Sequence, residues 1–393
     1  MKKWVICCLF WGIGQLWAQD FKLDAGKISQ KEFFEEVSFE FEHGKIVIPV
    51  SLAGQTYRFL LDTGAPNIIS KRLANILNPA SKRDVNVVDA NNKTQNMVMV
   101  PLPEMRLGSL QFEKGVAIVV DLDNHPVLKC YRLDGFVGSN FFKNAVLQID
   151  YTGKKLRISH TVKSFSPKTK GFSLQLIGQQ LAPYIALEHQ SEGCNEGSEF
   201  ALLDTGMDGF YDLSNRVYAD FKKGEVVKTL GESTGVVSLG LFEKLEPSPH
   251  RLVQIQKMKI NGTTFTNIIS ETTDDDNSRI GLDVFKLGKV TLDFHKKKWY
   301  FEAPTQNDLT QKTPQFTPTL IDQKLVVGIV WDKTLKSKIQ FGNPIIRIDQ
   351  HRLEKLSVCD IVGLKELIAT KSSLEIEVIN NAGETVTIKK DTK

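Results

Sequence analysis

Cysteine is scarce in this chain of 393 residues: there are five, and Cys7 and Cys8 fall inside the apolar run that opens it. The remaining Cys130, Cys194 and Cys359 can close at most one intrachain bridge, which excludes a disulfide scaffold. Cys130 and Cys194 either pair in an oxidising compartment or stand as two inert core residues. Cofactor signatures are missing too. There is no His-Glu-x-x-His, no glycine-rich phosphate loop and no Cys-x-x-Cys, and the seven histidines show no ligand spacing. No metal and no other cofactor is therefore expected. The run Asp274-Asp275-Asp276 lacks the alternate-residue spacing of a calcium loop and reads as a solvated turn. A net charge of only +4 gives no footprint for nucleic acid. The opening stretch "MKKWVICCLFWGIGQLWAQD" carries about 13 apolar residues behind two lysines and closes on Ala18, short of the ~20 that a spanning helix needs. It reads as a signal peptide over residues 1–18, so the expectation is a periplasmic or secreted protein with no stable membrane span after cleavage.

What the chain does have is ordinary globular composition, 41% hydrophobic and 24% charged, and one tripeptide twice. "FLLDTGAPNIIS" occupies 59–70 and "FALLDTGMDGFYDLS" occupies 200–214. A given tripeptide of this composition arises roughly 0.07 times by chance in such a length. Each copy also ends an apolar run on an ionisable group, which makes Asp62 and Asp204 candidates for chemistry. A second similarity confirms the repeat: "GSNFFKNAVLQIDYTGKKLRI" from Gly138 aligns without a gap on "GLDVFKLGKVTLDFHKKKWYF" from Gly281. Each aspartate precedes its repeat glycine by 76 or 77 residues. The chain therefore contains a duplicated unit.

Both copies read as β. Apolar residues alternate at Phe39 and Phe41, then at Ile46, Ile48, Val50 and Leu52, and resume at Tyr57 and Phe59 after Ala53-Gly54. "IDYTGKKLRI" and "LDFHKKKWYF" read as hairpins with basic turns; lysines recurring at one repeat position suit a solvated turn better than a nucleic-acid patch.

Over residues 40 to 302 the pattern resembles the aspartic peptidases of the pepsin and retropepsin type, in which two lobes each supply one aspartate. The resemblance implies a mainly β, duplicated, two-lobed acid-protease barrel fold, and an endopeptidase whose substrate is an extended polypeptide in the cleft between the lobes. It implies Asp62 and Asp204 as the catalytic dyad, Thr63 and Thr205 as hydroxyl cross-links between their loops, and Gly64 and Gly206 as the points of close approach. Two carboxylates about 3 Å apart repel by roughly 5 kcal/mol at an effective dielectric near 20, so the pair shares one proton. One member can then protonate the scissile carbonyl while the other activates water. The residues alone leave open which member holds the proton.

Departures from the family pattern lie in the second loop and the flap, and one rival motif is present. Met207 follows the second glycine, where a small or hydroxylated residue is usual, and its loop is two residues longer than the first before Ser214 matches Ser70. The segment "VVDANNKTQNM" stands where a substrate-covering flap is expected, with Asp89, Ala90, Asn91, Asn92, Lys93 and Thr94 at its tip; Asn91-Asn92 suits a left-handed turn. "GESTG" from Gly231 fits a serine-hydrolase elbow with Ser233 as nucleophile, but the β-like "VVSLGLF" follows it where a helix is required, and it lies at the repeat position of the flap.

After Phe301 the composition turns polar and proline-rich, and residues 304–317 read as a linker. Residues 318–393 then give strand, strand, helix and hairpin, an order that resembles a PDZ domain of the bacterial arrangement. That resemblance implies peptide binding by strand addition, with a carboxylate-holding loop around Leu320 to Lys324. The expected organisation is a signal at 1–18, an N-terminal lobe at 19–162, a C-terminal lobe at 163–303, the linker and the PDZ-like domain. The alternatives are a peptidase fold that binds peptides without cleaving them, and an envelope protein whose C-terminal domain is the functional part.

Overall fold

The computed structural model describes residues 22–236, 240–242, 246–369, 371 and 373–391. The signal assigned to residues 1–18 lies outside them. Alternating apolar residues produce strands throughout. In Lys45–Leu52, for example, Ile46, Ile48, Val50 and Leu52 are all buried, as period-2 geometry requires when one face meets a core.

Two large sheets form the lobes. The first, of 11 strands, runs through Lys45–Leu52, Gln55–Asp62, Gly135–Gly138 and Ile68–Ser70; the second, of nine, runs through Ala182–Gln190, Glu196–Leu203, Arg279–Ile280 and Tyr211–Ser214. The duplication persists in the register. Gly135–Gly138 pairs in parallel with Gln55–Asp62 and antiparallel with Ile68–Ser70, and Arg279–Ile280 pairs in parallel with Glu196–Leu203 and antiparallel with Tyr211–Ser214. A sheet of six strands joins the lobes. The repeat hairpins Val146–Asp150/Lys155–Ser159 and Lys289–Asp293/Lys298–Glu302 lie side by side in it, Leu147 opposite Leu292. One continuous core, from Ile46 and Phe59 through Leu147 and Val290 to Leu203 and Phe265, unites the two lobes.

The C-terminal unit has its own core around Phe316, Val327, Ile345, Ile376 and Val378. It consists of a hairpin (Phe316–Ile321 and Lys324–Val330), a helix (Val358–Ala369) and a sheet of four strands. Three expectations are corrected here. Residues 304–317 do not hang free: Gln306–Asp308 pairs in parallel with Thr263–Thr273, and the Asp308 carboxylate accepts hydrogen bonds from Asn267 and Thr310. Polar composition suits an edge strand as well as a linker, and only the neighbouring sheet distinguishes them. Around Leu320 to Lys324 there is a tight hairpin turn, with Asp322 and Gln323 both left-handed, in place of a carboxylate-holding loop. Finally, Cys130 is bonded to Cys359, 229 residues away, while Cys194 is exposed and free. Cys194 sits in the turn between Ala182–Gln190 and Glu196–Leu203, whereas Cys359 opens the helix that packs on the short helix Leu128–Tyr131.

That bridge is one of several contacts holding the C-terminal unit to both lobes. Val362 packs among the N-terminal lobe's Leu60, Ile68, Ile118 and Phe136. Ile329 and Trp331 pack on Leu252 of the C-terminal lobe, and Thr317 and Trp331 donate hydrogen bonds to Glu271.

Candidate active site

Asp62 ends the strand Gln55–Asp62, and Asp204 directly follows Glu196–Leu203. Both strands emerge from the lobe cores toward each other, and the Asp-Thr-Gly loops meet. Thr63 Oγ1 donates to the carbonyl of Leu203 at 2.6 Å and accepts from the Thr205 N–H at 3.0 Å; Thr205 Oγ1 donates to the carbonyl of Leu61 at 2.9 Å and accepts from the Thr63 N–H at 3.0 Å. This reciprocal brace is buried, so its four hydrogen bonds compete with no water, and losing either hydroxyl would orphan one backbone carbonyl and one N–H of the opposite lobe.

The glycines that follow bring the carboxylates together. A methyl group on Gly64 would come within 3.0 Å of Asp204 Oδ1, and one on Gly206 within 2.5 Å of Asp62 Oδ2. Each aspartate thus lies against the backbone of the opposite loop. Asp62 Oδ1 accepts from the N–H groups of Gly64 and Ala65, each at 3.0 Å; Asp204 Oδ1 accepts from Gly206 N–H at 2.8 Å. The repeat glycines complete the support, since a side chain on Gly138 would strike the carbonyl of Ala65, and one on Gly281 the carbonyls of Gly209 and Met207.

Burial pushes the Asp62 carboxyl up to about 7, with the charge of Asp204 adding to it and Lys45 and the two loop N–H groups opposing. Asp204 is 6% exposed. Its nearest cation is Arg279, with Nη1 3.8 Å from Asp204 Oδ2. Arg279 also bonds Asp275, and its Nη2 donates to the carbonyl of Ala90 at 3.3 Å. Next to it Asp212 is raised to about 7, by burial and then by Glu271, against the pull of Arg279.

The longer second loop keeps its place. Met207 is 9% exposed, and its carbonyl accepts from Leu282 N–H at 3.0 Å. Lys45, from the other lobe, pairs with Asp208 at 2.7 Å and donates to the carbonyl of Gly206. The extra residues are thus seated by a cross-lobe cation.

The segment assigned as flap is a hairpin between Arg83–Val88 and Thr94–Pro101. Asp89 builds its tip: the carboxylate accepts from the N–H groups of Asn91 and Lys93 at 3.0 and 2.9 Å, and Asn92 takes the left-handed conformation. The tip reaches the C-terminal lobe, where Asp89 accepts from Phe242 N–H at 3.2 Å and Lys93 pairs with Glu246 at 2.9 Å. Thr94 opens the returning strand opposite Val88. Ser233 lies within the strand Lys228–Gly235, paired with His250, not on a strand-to-helix turn. Lys45, Asp212 and Arg279 were missed by motif reading. Arg279 had one signal: "NSRIG" carries an ionisable residue where the first repeat has "DGFVG".

Residues 48–141 match the family model described as Aspartyl protease. No curated protein matches the chain. Among solved structures it is similar to an aspartic proteinase from Irpex lacteus, at 13% identity over 70% of this chain and 100% of that one, TM-score 0.40. It is also similar to basic 7S globulin from soybean, at 11% identity over 69% and 94%, TM-score 0.39. Conglutin gamma, a basic 7S globulin from lupine seeds, matches at 9% identity over 69% and 95%, TM-score 0.37. The matched segment carries the first Asp-Thr-Gly motif, and with the duplicated two-lobed β fold it supports a peptidase-like function.

Proposed function

We propose that the chain is an aspartic endopeptidase, exported from the cytoplasm, in which Asp62 and Asp204 hydrolyse peptide bonds with a water held between them. The observation that carries this reading is the reciprocal Thr63/Thr205 brace, which presents the two carboxylates to each other's loops. Like charges this close share one proton. The ionised carboxylate takes a proton from water as its oxygen attacks the scissile carbonyl carbon; the protonated one donates to the carbonyl oxygen. The tetrahedral intermediate then collapses, the C–N bond breaks, and the amine leaves with the proton held by the first carboxylate. No bond to the protein forms. The hairpin tip at Asp89 to Thr94 covers the polypeptide substrate, and its contacts to Phe242 and Glu246 are those it makes when closed.

The test is cleavage of an unfolded polypeptide by the purified chain between about pH 3 and 8, where proton sharing predicts a bell-shaped profile. Inhibitors that mimic the tetrahedral intermediate should abolish it, and Ser233→Ala should not. A wild-type chain that binds peptides but cleaves none would instead support a binding protein on a peptidase fold.

A further inference from the structure

The internal repeat relates the two halves of the dyad, yet it surrounds them with different charges. Phe136 lies between Leu60 and Ile68 in the first lobe; Arg279 occupies the same register between Leu202 and Asp212 in the second. One aspartate therefore has an aromatic ring beside its strand and the other a guanidinium. Building on the peptidase reading, we propose that Arg279 is a positioning residue that keeps Asp204 as the ionised member of the dyad and leaves the shared proton on Asp62.

The guanidinium lies 3.8 Å from Asp204 Oδ2 and its side chain is only 14% exposed, so solvent and salt screen it poorly. Burial works against its charge, but Asp204 and Asp275 outweigh that. The other ionisable groups in its field are Asp212 on the adjacent strand, with Glu271 and Asp208 close to it, and Tyr184, itself raised to about 12 by burial. Asp204 and Asp275 hold Arg279 above its ordinary range, so it stays protonated throughout the working range. On the other side, Lys45 is the cation that acts on Asp62, but its ammonium is paired with Asp208 and bonded to the Gly206 carbonyl. Asp62 accepts one more loop N–H than Asp204 does, which opposes the assignment. A full charge at this distance is the larger effect: an opposite charge within about 4–6 Å lowers the pKa of a carboxyl by about one to three. The upward shift of Asp62 to about 7 agrees with a group that keeps its proton beside an anion.

The assignment orders the chemistry. Asp204 takes the proton from water, and the water oxygen bonds to the carbonyl carbon. Asp62 gives its proton to the carbonyl oxygen and recovers it when the tetrahedral intermediate collapses, while the departing nitrogen takes the proton from Asp204. Arg279 also holds the carbonyl of Ala90, so the same side chain ties the hairpin tip to the charged half of the dyad.

The experiment compares pH profiles of kcat/KM for wild type, Arg279→Met and Arg279→Lys. The methionine variant should move the acidic limb upward by about one to two pH units, and lysine should restore it. A purely structural role would lower the whole profile without moving the limb. An unmoved limb in Arg279→Met, or one moved equally by lysine, overturns the proposal. Carbon NMR titration of the wild-type chain labelled at aspartate Cγ reads the same question without activity, using Asp62→Asn and Asp204→Asn to assign the two signals. Asp204 should ionise at lower pH than Asp62, and the reverse order refutes the assignment. Because this readout needs no cleavage, a chain that cleaves nothing would sink the peptidase reading while the proton assignment is still decided.

Discussion

Asparagine at position 62 or 204 keeps the side chain's size and removes the proton exchange, so each variant should lower kcat/KM by about 10²–10⁴-fold or more with the Thr63/Thr205 brace intact. The dyad also has a stability signature. Asp62 and Asp212 are both raised from 3.8 to about 7 in the fold. Their contribution is therefore fully present below about pH 3.8, declines as the unfolded chain ionises first, and is lost as pH rises through about 7. Asp212→Asn removes that dependence at a position outside the dyad. Its melting temperature should gain on wild type between pH 4 and 8, and the corresponding free energy has an upper bound of about 4 kcal/mol, at roughly 1.4 kcal/mol for each tenfold change in proton affinity. Equal pH dependence in wild type and variant would show that Asp212 ionises freely. Asp62 was legible because its motif is local. Asp212 and Arg279 were not, because what gives them meaning is the neighbour that parallel and antiparallel pairing sets beside them.

Among the elements, the hairpin tip depends on one carboxylate. Asp89 bonds two N–H groups of its own turn and one of the opposite lobe. Asp89→Ala should leave these donors to water and loosen the closed tip by about 1–2 kcal/mol. The expected result is a KM raised about tenfold with kcat changed much less, since in the proposed function the tip covers the substrate and touches no reacting atom. A fall in kcat alone would place the tip in the chemistry. The hairpin could be read from Asn91-Asn92 and its flanking strands. Its contact with Phe242 and Glu246 could not, because those residues lie more than 150 positions away in sequence. The Cys130–Cys359 bridge closes a loop with a sequence separation of 229 residues, for which chain entropy gives an upper range of roughly 5 kcal/mol. Cys359→Ser should lower thermal stability by about 2–4 kcal/mol, whereas Cys194→Ser should leave it unchanged. The opposite ranking would mean that the thiols pair differently in solution.

At the scale of the molecule, the C-terminal unit is an integral part and not an appendage. Truncation after Pro304 would remove the edge strand Gln306–Asp308, expose Leu252 beneath Trp331, and uncover the N-terminal lobe's apolar cluster at Val362. A truncated chain ending there should melt at lower temperature and lose cleavage of short and long polypeptides alike. A fully stable, active truncation would show that these contacts contribute little. The sequence by itself determined the duplication, the β class, the two Asp-Thr-Gly loops and the helix followed by a hairpin near the C-terminus, because each rests on local periodicity or direct repetition. It could not determine that Gln306–Asp308 lies on a sheet edge, which thiol meets Cys130, or that the two aspartates have unlike surroundings. Those outcomes depend on distances between segments far apart in the chain, and such distances exist only once the two lobes and the C-terminal unit have packed together.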